Sequence, residues 1–268
     1  MKFLENNQFE TLEIETNNKW LHIKLNQPKS KNALSRKMIA ELVHLMELAS
    51  SQKILRGVLL SGNGGSFCSG ADLKEFKSFF LNGKPDKNQV ISSSLKVAKL
   101  LQSFYYFPKY VICCIDGPAY AGGMGLSCCA DFIFATKNSK FGITEIKIGL
   151  TPAQIAPFVI NRLGSKNAKN LMLSGEVIDT SKALEIGLLD VVFDNNEEMF
   201  SYAKNFSYKL KSCAPNALAV TKSIFSDLDH SVKFSEIAAD KFAKCMLGEE
   251  TSEGLQAFVE KRKPSWNL

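Results

Sequence analysis

Two glycine-bearing turns limit most strongly what this chain can fold into. The first is Phe67-Cys68-Ser69-Gly70-Ala71-Asp72, and the second is the segment DGPAYAGGMG at 116–125. Each follows a short apolar run typical of a buried strand, at 57–61 and at 111–115. Glycine lets a ligand approach the backbone closely, and unpaired N–H groups at a helix start attract negative charge. One N–H from each turn, directed at one point, would form an oxyanion hole for a polarised carbonyl.

The rest of the chain separates into a mixed part and a helical part. Up to about residue 195, strand patterns alternate with helix patterns, which predicts a layered α/β core. Further strands are predicted at 12–16, 20–25, 132–136, 140–143 and 189–193, the first two forming a hairpin that turns at Asn17-Asn18. Helices are predicted at 35–51, 92–107 and 182–186, near 154 and 166, and then at 197–211, 215–227, 233–246 and 250–261.

Local signals refine these boundaries. Ser35 is predicted to cap the helix that runs to about residue 51, and Asp179 to cap a short helix that Gly187 ends. Residues 77–91 contain Asn82-Gly83-Lys84-Pro85-Asp86 and are predicted to form a flexible surface loop near the entrance of a site.

Composition excludes several classes of function. With 45% hydrophobic and 22% charged residues, the chain is typical of a globular domain. No apolar run approaches the ~20 residues that span a bilayer, and residues 1–15 lack signal or transit character, so we expect no membrane contact and a cytoplasmic location. The net charge of +6 is spread along the chain without a basic block, which argues against nucleic-acid binding.

The cysteines and histidines give no sign of a metal or disulfide site. Seven cysteines are present without a C-x-x-C motif, so we expect buried reduced thiols, with Cys68 in a packing role. The three histidines are remote from the glycine turns and are predicted to be surface or packing residues: His22, His44 and His230.

Several segments in the same order resemble the crotonase superfamily, the enoyl-CoA hydratase/isomerase family. They are PKSKNALS (28–35), FCSGADLKEF (67–76), IDGPAYAGGMGLSCCADFIFA (115–135), FGITEIKIGLTP (141–152) and AFVEKRKPSW (257–266). The resemblance implies a spiral of ββα units over residues 1–195 that carries an acyl-CoA site. It also implies a C-terminal helical trimerisation region over residues 196–268. A homotrimer, or a hexamer made as a dimer of trimers, is then expected. Coenzyme A would belong to the substrate, with no separate cofactor and no metal.

The resemblance assigns roles residue by residue. Ala71 and Gly122 would supply the oxyanion-hole N–H groups, and Glu145 would exchange a proton with the acyl chain. Glu145 lies among apolar residues, where desolvation tends to raise a carboxyl pKa. Asp72 could also cap a helix. The residues expected to contact substrate or CoA are Lys29, Lys31, Ala33, Ser69, Ala71, Asp72, Leu73, Lys74, Gly122, Gly123 and Gly125.

Gly125 departs from the pattern of hydratases with two catalytic glutamates, which carry the second one at this position. Three alternatives stay open. Glu145 could handle both the water and the carbon-bound proton. Another residue, or a carboxylate on the substrate, could replace the missing group. The reaction could also need only one base, as double-bond isomerisation does.

Three hypotheses about function follow. The first is an enoyl-CoA hydratase acting on a branched or carboxylated thioester such as methylglutaconyl-CoA, in leucine or fatty-acid breakdown. It follows a resemblance of the glycine run and of 148–153 to methylglutaconyl-CoA and carboxygeranoyl-CoA hydratases. Ala153-Gln154-Ile155-Ala156 replaces a stretch often richer in glycine and is expected to reshape the acyl pocket. The second is a Δ3-Δ2-enoyl-CoA isomerase using a single glutamate. The third is a non-catalytic acyl-CoA-binding protein.

Overall fold

The computed structural model describes residues 8–80, 86–228 and 231–267. The strands are β1 Leu12–Asn17, β2 Trp20–Leu25, β3 Gly57–Gly62, β4 Tyr110–Ile115, β5 Pro118–Tyr120, β6 Phe132–Thr136, β7 Lys140–Gly142, β8 Val177–Asp179 and β9 Val191–Phe193. The helices are α1 Arg36–Ser51, α2 Leu73–Phe80, α3 Lys87–Tyr105, α4 Gly122–Cys128, α5 Ala156–Ser174, α6 Thr180–Glu185, α7 Asn196–Lys209, α8 Pro215–Leu228, α9 Ser231–Met246 and α10 Glu249–Glu260. The predicted mixed α/β class is confirmed.

The larger sheet has six strands in the order β1-β2-β3-β4-β6-β9. Only β1 and β2 pair antiparallel, and the other neighbours are parallel. The hairpin forms as predicted, but its turn residues are Asn18 and Lys19, one position later. Both have positive φ, 49° and 70°, which suits the twist of a two-residue hairpin turn.

Helices cover both faces of this sheet. On one face α1 contributes Met38, Leu42 and Leu45, all fully buried, to the main core. Its N-cap is Ser35 as predicted, since Oγ accepts from the Met38 N–H at 3.2 Å. On the opposite face α7 packs Met199 and Ala203 against residues of β3, β4 and β6.

A second sheet of three short strands, β5-β7-β8, was only partly predicted. β5 and β7 are parallel, and β7 and β8 are antiparallel. The sequence analysis found β7 but neither β5 nor β8. Both have only three residues, too few to show a strand period. The cap predicted at Asp179 is present, because Oδ1 accepts from the Lys182 N–H at 2.9 Å.

The loop predicted at 77–91 is wrong over much of its length. Helix α2 extends to Phe80, and α3 starts at Lys87, capped by Asp86. Residues 81–85 lie outside the described residues, as does His230. Helix α3 therefore begins five residues before the predicted start, because Asp86 accepts from the Gln89 N–H at 3.1 Å and adds a first turn.

The C-terminal helices follow their predicted order, and α9 packs along α3. Two helices were expected near 154 and 166, and α5 indeed breaks at Gly164, where φ is 70°. The division of the chain at residue 195 stays a prediction. Among the described residues, no helix combines the length and apolar character needed to cross a membrane.

The cysteines are free thiols, but they do not all lie in the core. Cys68, Cys113, Cys114, Cys128 and Cys129 are buried as expected, whereas Cys213 is exposed and Cys245 half-buried. Burial raises the pKa of the Cys68 thiol to about 12, which keeps it protonated and unreactive. Within the described ranges, no group of His, Cys, Asp and Glu has the arrangement of a metal site.

Asn32 fixes the loop that precedes α1. Its side chain is fully buried, and its φ is 54°. Nδ2 donates to the carbonyls of Asn63 and Ser66 at 2.9 and 2.7 Å, and Oδ1 accepts from the Gln27 N–H at 2.8 Å.

We predict that Asn32→Ala lowers the free energy of unfolding by roughly 2–4 kcal/mol, because it leaves three main-chain groups, the buried Ser66 carbonyl among them, without their partner. Urea denaturation of the two proteins would measure the difference. Asn205→Ala, on the exposed face of α7, is the control and should change stability by less than about 0.5 kcal/mol. Equal costs for the two variants would contradict this role of Asn32.

Candidate active site

A row of three residues, which lie side by side on three neighbouring segments of the chain, positions the candidate site. Ala119 of β5 pairs in parallel with Phe141 of β7 and, by an isolated bridge, with Cys68. Because parallel segments run in the same direction, their continuations emerge at one edge. Ala71, Gly122 and Glu145 follow this row by three to four residues. The segments stay hydrogen-bonded beyond the row. The Tyr120 N–H donates to Cys68 O at 2.9 Å, and the Ala121 N–H donates to Gly142 O at 2.8 Å.

The two glycine turns lie against each other. Gly70 has φ 89°, and a carbon added to it would lie 2.8 Å from Ala121 Cβ and 3.3 Å from Gly122 N. Glycine is therefore required there both by its conformation and by the space available. Among the hydrogen bonds of the described residues, none is donated by the N–H of Ala71 or of Gly122. Gly122 is the first residue of α4, where an N–H has no partner within the helix.

Ala121 has a strained backbone. Its φ is 50° and its ψ is −122°, values that an L-residue with a Cβ rarely adopts. Such conformations cost on the order of 1–3 kcal/mol and concentrate at functional sites. This conformation of Ala121 turns the chain from β5 into α4 and so sets the orientation of the Gly122 N–H.

Glu145 begins a 3-10 turn, 145–148, directly after the short segment that follows β7. The residue as a whole is only half-buried, but its Oε2 is inaccessible to solvent and has no hydrogen-bond partner among the described residues. Burial raises the pKa of this carboxyl from its ordinary value to about 7, although its own main-chain N–H lowers it. A carboxyl with a pKa near neutrality can both accept and donate a proton.

These groups share one cavity of about 130 Å³ with a mainly apolar lining. Its wall consists of the two glycine turns, helices α1, α2, α3 and α9, and the segment that leads into α5. The lining residues are Leu34, Arg36, Ile39, Ala71, Asp72, Glu75, Phe76, Ser93, Ser94, Lys96, Val97, Ala121, Gly122, Glu145, Leu150–Ile155 and Phe242.

Four of the residues predicted to be catalytic or to contact the substrate line this cavity: Ala71, Asp72, Gly122 and Glu145. Asp72 also caps α2, because Oδ1 accepts from the Lys74 N–H at 2.9 Å. Gly123 is not part of the lining. A carbon added to it would lie 2.3 Å from Cys68 O, so its role in the structure is to let α4 approach the first turn.

The other predicted contact residues lie outside the lining. Lys29 and Lys31 are exposed on the loop before α1, and Ala33 is buried beneath it. This loop is joined to the first turn, because the Ser69 N–H donates to Lys31 O at 3.1 Å and Ser69 Oγ to Ser30 O at 3.2 Å. Leu73 is half-buried and Lys74 exposed at the start of α2.

Gly125 is enclosed by Ile155. A carbon added to Gly125 would lie 2.2 Å from Ile155 Cγ2 and 2.5 Å from Ile155 Cβ. The position thus has no room for any side chain, because Ile155 is itself buried and close-packed. The departure noted in the sequence therefore has a structural counterpart: an apolar side chain fills the space where a second carboxylate would start.

Sequence reasoning missed the contribution of distant helices. Ser94 of α3 and Phe242 of α9 reach the cavity only because those helices pack together over it. Gln154, at the start of the segment expected to reshape the pocket, links them. Its Nε2 donates to Ser94 Oγ and to Ser235 O, each at 3.0 Å. No local signal in the sequence predicts such a contact between residues 60 and 81 positions apart.

Comparison with known proteins identifies the family. A family model described as enoyl-CoA hydratase/isomerase matches residues 15–268. The chain belongs to the enoyl-CoA hydratase/isomerase family.

Individual relatives agree with the family assignment over nearly the whole chain. A crotonyl-CoA hydratase of Syntrophomonas wolfei is 28% identical over 96% of this chain and 98% of its own. Among solved structures, an enoyl-CoA hydratase/isomerase from Marinobacter aquaeolei is 33% identical with a TM-score of 0.77, covering 97% of this chain and 100% of its own. An enoyl-CoA hydratase from Mycobacterium avium is 28% identical with a TM-score of 0.83, covering 96% and 99%.

The raised pKa of Glu145 predicts a pH-dependent cost to stability. Between pH 4.5 and about 7 the folded chain retains a proton that the unfolded chain has released, so the free energy of unfolding falls as pH rises through this interval. The full effect is on the order of 3 kcal/mol. We expect Glu145→Gln to raise the denaturation midpoint at pH 8 and to have a smaller effect at pH 5. Urea denaturation at one fixed protein concentration would test this, and a midpoint lowered more at pH 8 than at pH 5 would contradict it.

The contact between Gly125 and Ile155 predicts coupling between the two positions. Gly125→Ala should cost about 1–3 kcal/mol of stability through overpacking, although alanine is the better helix former. Ile155→Ala removes the nearest atom, Cγ2. The double variant should therefore lose less stability than the sum of the losses in the two single variants. A double-mutant cycle in urea measures the difference. Additive costs would show that the contact does not constrain Gly125.

Proposed function

We propose that this chain is an enoyl-CoA hydratase that adds water across the 2,3 double bond of an enoyl-CoA thioester. The observation that carries the proposal is the shared cavity. Glu145, whose carboxyl has a pKa of about 7, lines this cavity with Ala71 and Gly122, whose main-chain N–H groups lack partners among the described residues. Two relatives that are 28% identical to this chain, a crotonyl-CoA hydratase and a short-chain-enoyl-CoA hydratase, support the same reaction.

In the proposed reaction the thioester oxygen accepts hydrogen bonds from the Ala71 and Gly122 N–H groups. Ionised Glu145 takes a proton from water while the water oxygen bonds to C3 of the acyl chain. The electron pair of the double bond moves towards the thioester and forms an enolate, whose negative oxygen the two N–H groups stabilise. Protonated Glu145 then donates its proton to C2. One water is consumed, and Glu145 returns to its ionised form.

The proposed substrate class is a branched or carboxylated enoyl-CoA such as methylglutaconyl-CoA. Its support is the resemblance of the glycine run and of 148–153 to that subgroup, together with the position of Ala153, Gln154 and Ile155 in the cavity wall. We propose that the exposed Lys29 and Lys31 attract the phosphates of coenzyme A, with no separate cofactor. Assembly as a homotrimer or hexamer stays a prediction.

A second candidate, Δ3-Δ2-enoyl-CoA isomerisation, is favoured by the packing of Ile155 on Gly125. An isomerase needs a single base that removes a proton from C2 of a 3-enoyl thioester and returns it to C4. Glu145 could perform both steps without a second carboxylate. The same oxyanion hole would stabilise the dienolate between them.

A substrate panel distinguishes these reactions. Crotonyl-CoA and methylglutaconyl-CoA should lose the absorbance of the conjugated thioester if the protein is a hydratase, whereas a 3-enoyl-CoA should gain it if the protein is an isomerase. We predict that Glu145→Gln lowers kcat by about 10²–10⁴-fold, because general acid–base catalysis contributes that much. Binding of the substrate should stay nearly unchanged.

Glu197→Gln is the matched control, because Glu197 is an exposed carboxylate on α7 and should not affect turnover. In wild type, kcat/KM should rise with pH around 7, as the carboxyl of Glu145 ionises. Unchanged turnover in Glu145→Gln would remove this residue from the mechanism. Thioester binding without turnover of any substrate would support a non-catalytic binding protein instead.

A further inference from the structure

Ser94 of α3 is a buried hydroxyl in the cavity wall with an unused hydrogen. The residue is 4% exposed and lines the same cavity as Glu145. Its Oγ accepts a hydrogen bond from Gln154 Nε2 at 3.0 Å. The Ser94 hydroxyl itself donates no hydrogen bond to a described residue. A hydroxyl can donate one bond and accept two, so the donor remains available for a ligand.

Six other helical serines of this chain use that hydrogen. They donate to the carbonyl three residues earlier at 2.7 to 2.9 Å: Ser50, Ser51, Ser103, Ser127, Ser207 and Ser223. Helical serines without such a bond to a described residue include Ser92 and Ser165, which are exposed to solvent, whereas Ser94 is buried. Ser94 could satisfy its donor in the same way but does not. Because a buried donor without an acceptor costs free energy, this departure points to an acceptor that a ligand supplies.

The orientation of Gln154 fixes that of the hydroxyl. The carbonyl of Ser235 can only accept, so the side-chain atom of Gln154 that faces it at 3.0 Å must be the nitrogen. The second amide hydrogen is directed to Ser94 Oγ. The Ser94 hydrogen therefore points away from Gln154, and the cavity is the open space beside it.

An exposed lysine at the cavity rim favours an acceptor that carries negative charge. Of the three lysines on α3, Lys87 pairs with Asp240 at 2.7 Å and Lys99 with Glu47 at 2.8 Å. Lys96 is exposed, lines the cavity and has no ion pair with a described residue. Of the two rim carboxylates, Glu75 pairs with the Arg36 guanidinium, with 3.6 Å between Oε2 and Nε, and Asp72 caps α2 through the Lys74 N–H.

We propose that Ser94 is a specificity-determining residue that donates a hydrogen bond to an oxygen on the acyl group, beyond the carbons that react. A carboxylate is the preferred form of that oxygen, since it is the stronger acceptor and Lys96 attracts its charge. The inference rests on the proposed function, because it assumes an acyl-CoA thioester in the cavity. Gln154 is a positioning residue that holds Ser94 through its amide.

Saturated thioesters test this without any reaction. Calorimetric titration would compare pentanoyl-CoA, 4-oxopentanoyl-CoA and glutaryl-CoA, which have five-carbon acyl chains with no added oxygen, a neutral oxygen and a carboxylate. In wild type we expect both oxygen-bearing ligands to bind about tenfold or more tightly than pentanoyl-CoA, with glutaryl-CoA the tightest. Ser94→Ala should abolish both preferences, and Lys96→Met only the additional preference for glutaryl-CoA.

Ser103→Ala is the matched control on the same helix, because its hydroxyl bonds the Leu100 carbonyl, and it should change none of the affinities. Equal affinity of wild type for all three ligands would overturn the proposal without any variant. A preference that survives Ser94→Ala would also overturn it. Failure of pentanoyl-CoA itself to bind would instead remove the acyl-CoA site on which the proposed function depends.

Discussion

The candidate site depends on one constraint, the parallel alignment of Cys68, Ala119 and Phe141. Three segments that are distant in the sequence cross this row in the same direction and then diverge. Each leaves a functional group a few residues further on, at a common edge. Main-chain hydrogen bonds carry the alignment, so it does not require particular side chains at the row itself. The glycines at 70 and 123 allow the close contacts that follow from it.

The local part of this arrangement could be predicted from the sequence. Ser35 and Asp179 cap helices as expected, and the two glycine turns and Glu145 lie at one cavity. These features depend on short stretches of chain, where capping and turn chemistry act directly. Residues 77–91 were misjudged because a single turn-rich segment, 82–86, was taken to represent neighbours that are helical. Strands β5 and β8 were missed because only pairing with β7 stabilises three residues in an extended form.

The rest of the site could not be predicted because it arises between distant residues. Gly125 and Ile155 are separated by thirty positions, and only their packing explains why a side chain is absent at one and bulky at the other. The hydroxyl of Ser94 resembles that of any helical serine until Gln154 is placed beside it. Glu145 was predictable in its position but not in its environment. Its position was visible in the sequence, whereas the burial that raises its pKa depends on the assembled wall of the cavity.

Because the wall of the cavity includes a helix from near the end of the chain, the cavity closes late during synthesis. Helix α3 comes from the first half of the chain and α9 from near its end, and Gln154 bonds to both. During synthesis the sheet can pair, and the turns can meet, before α9 has left the ribosome. The chamber that excludes water from the carboxyl closes only afterwards. A nascent chain therefore contains the reactive groups well before it contains the environment that tunes them.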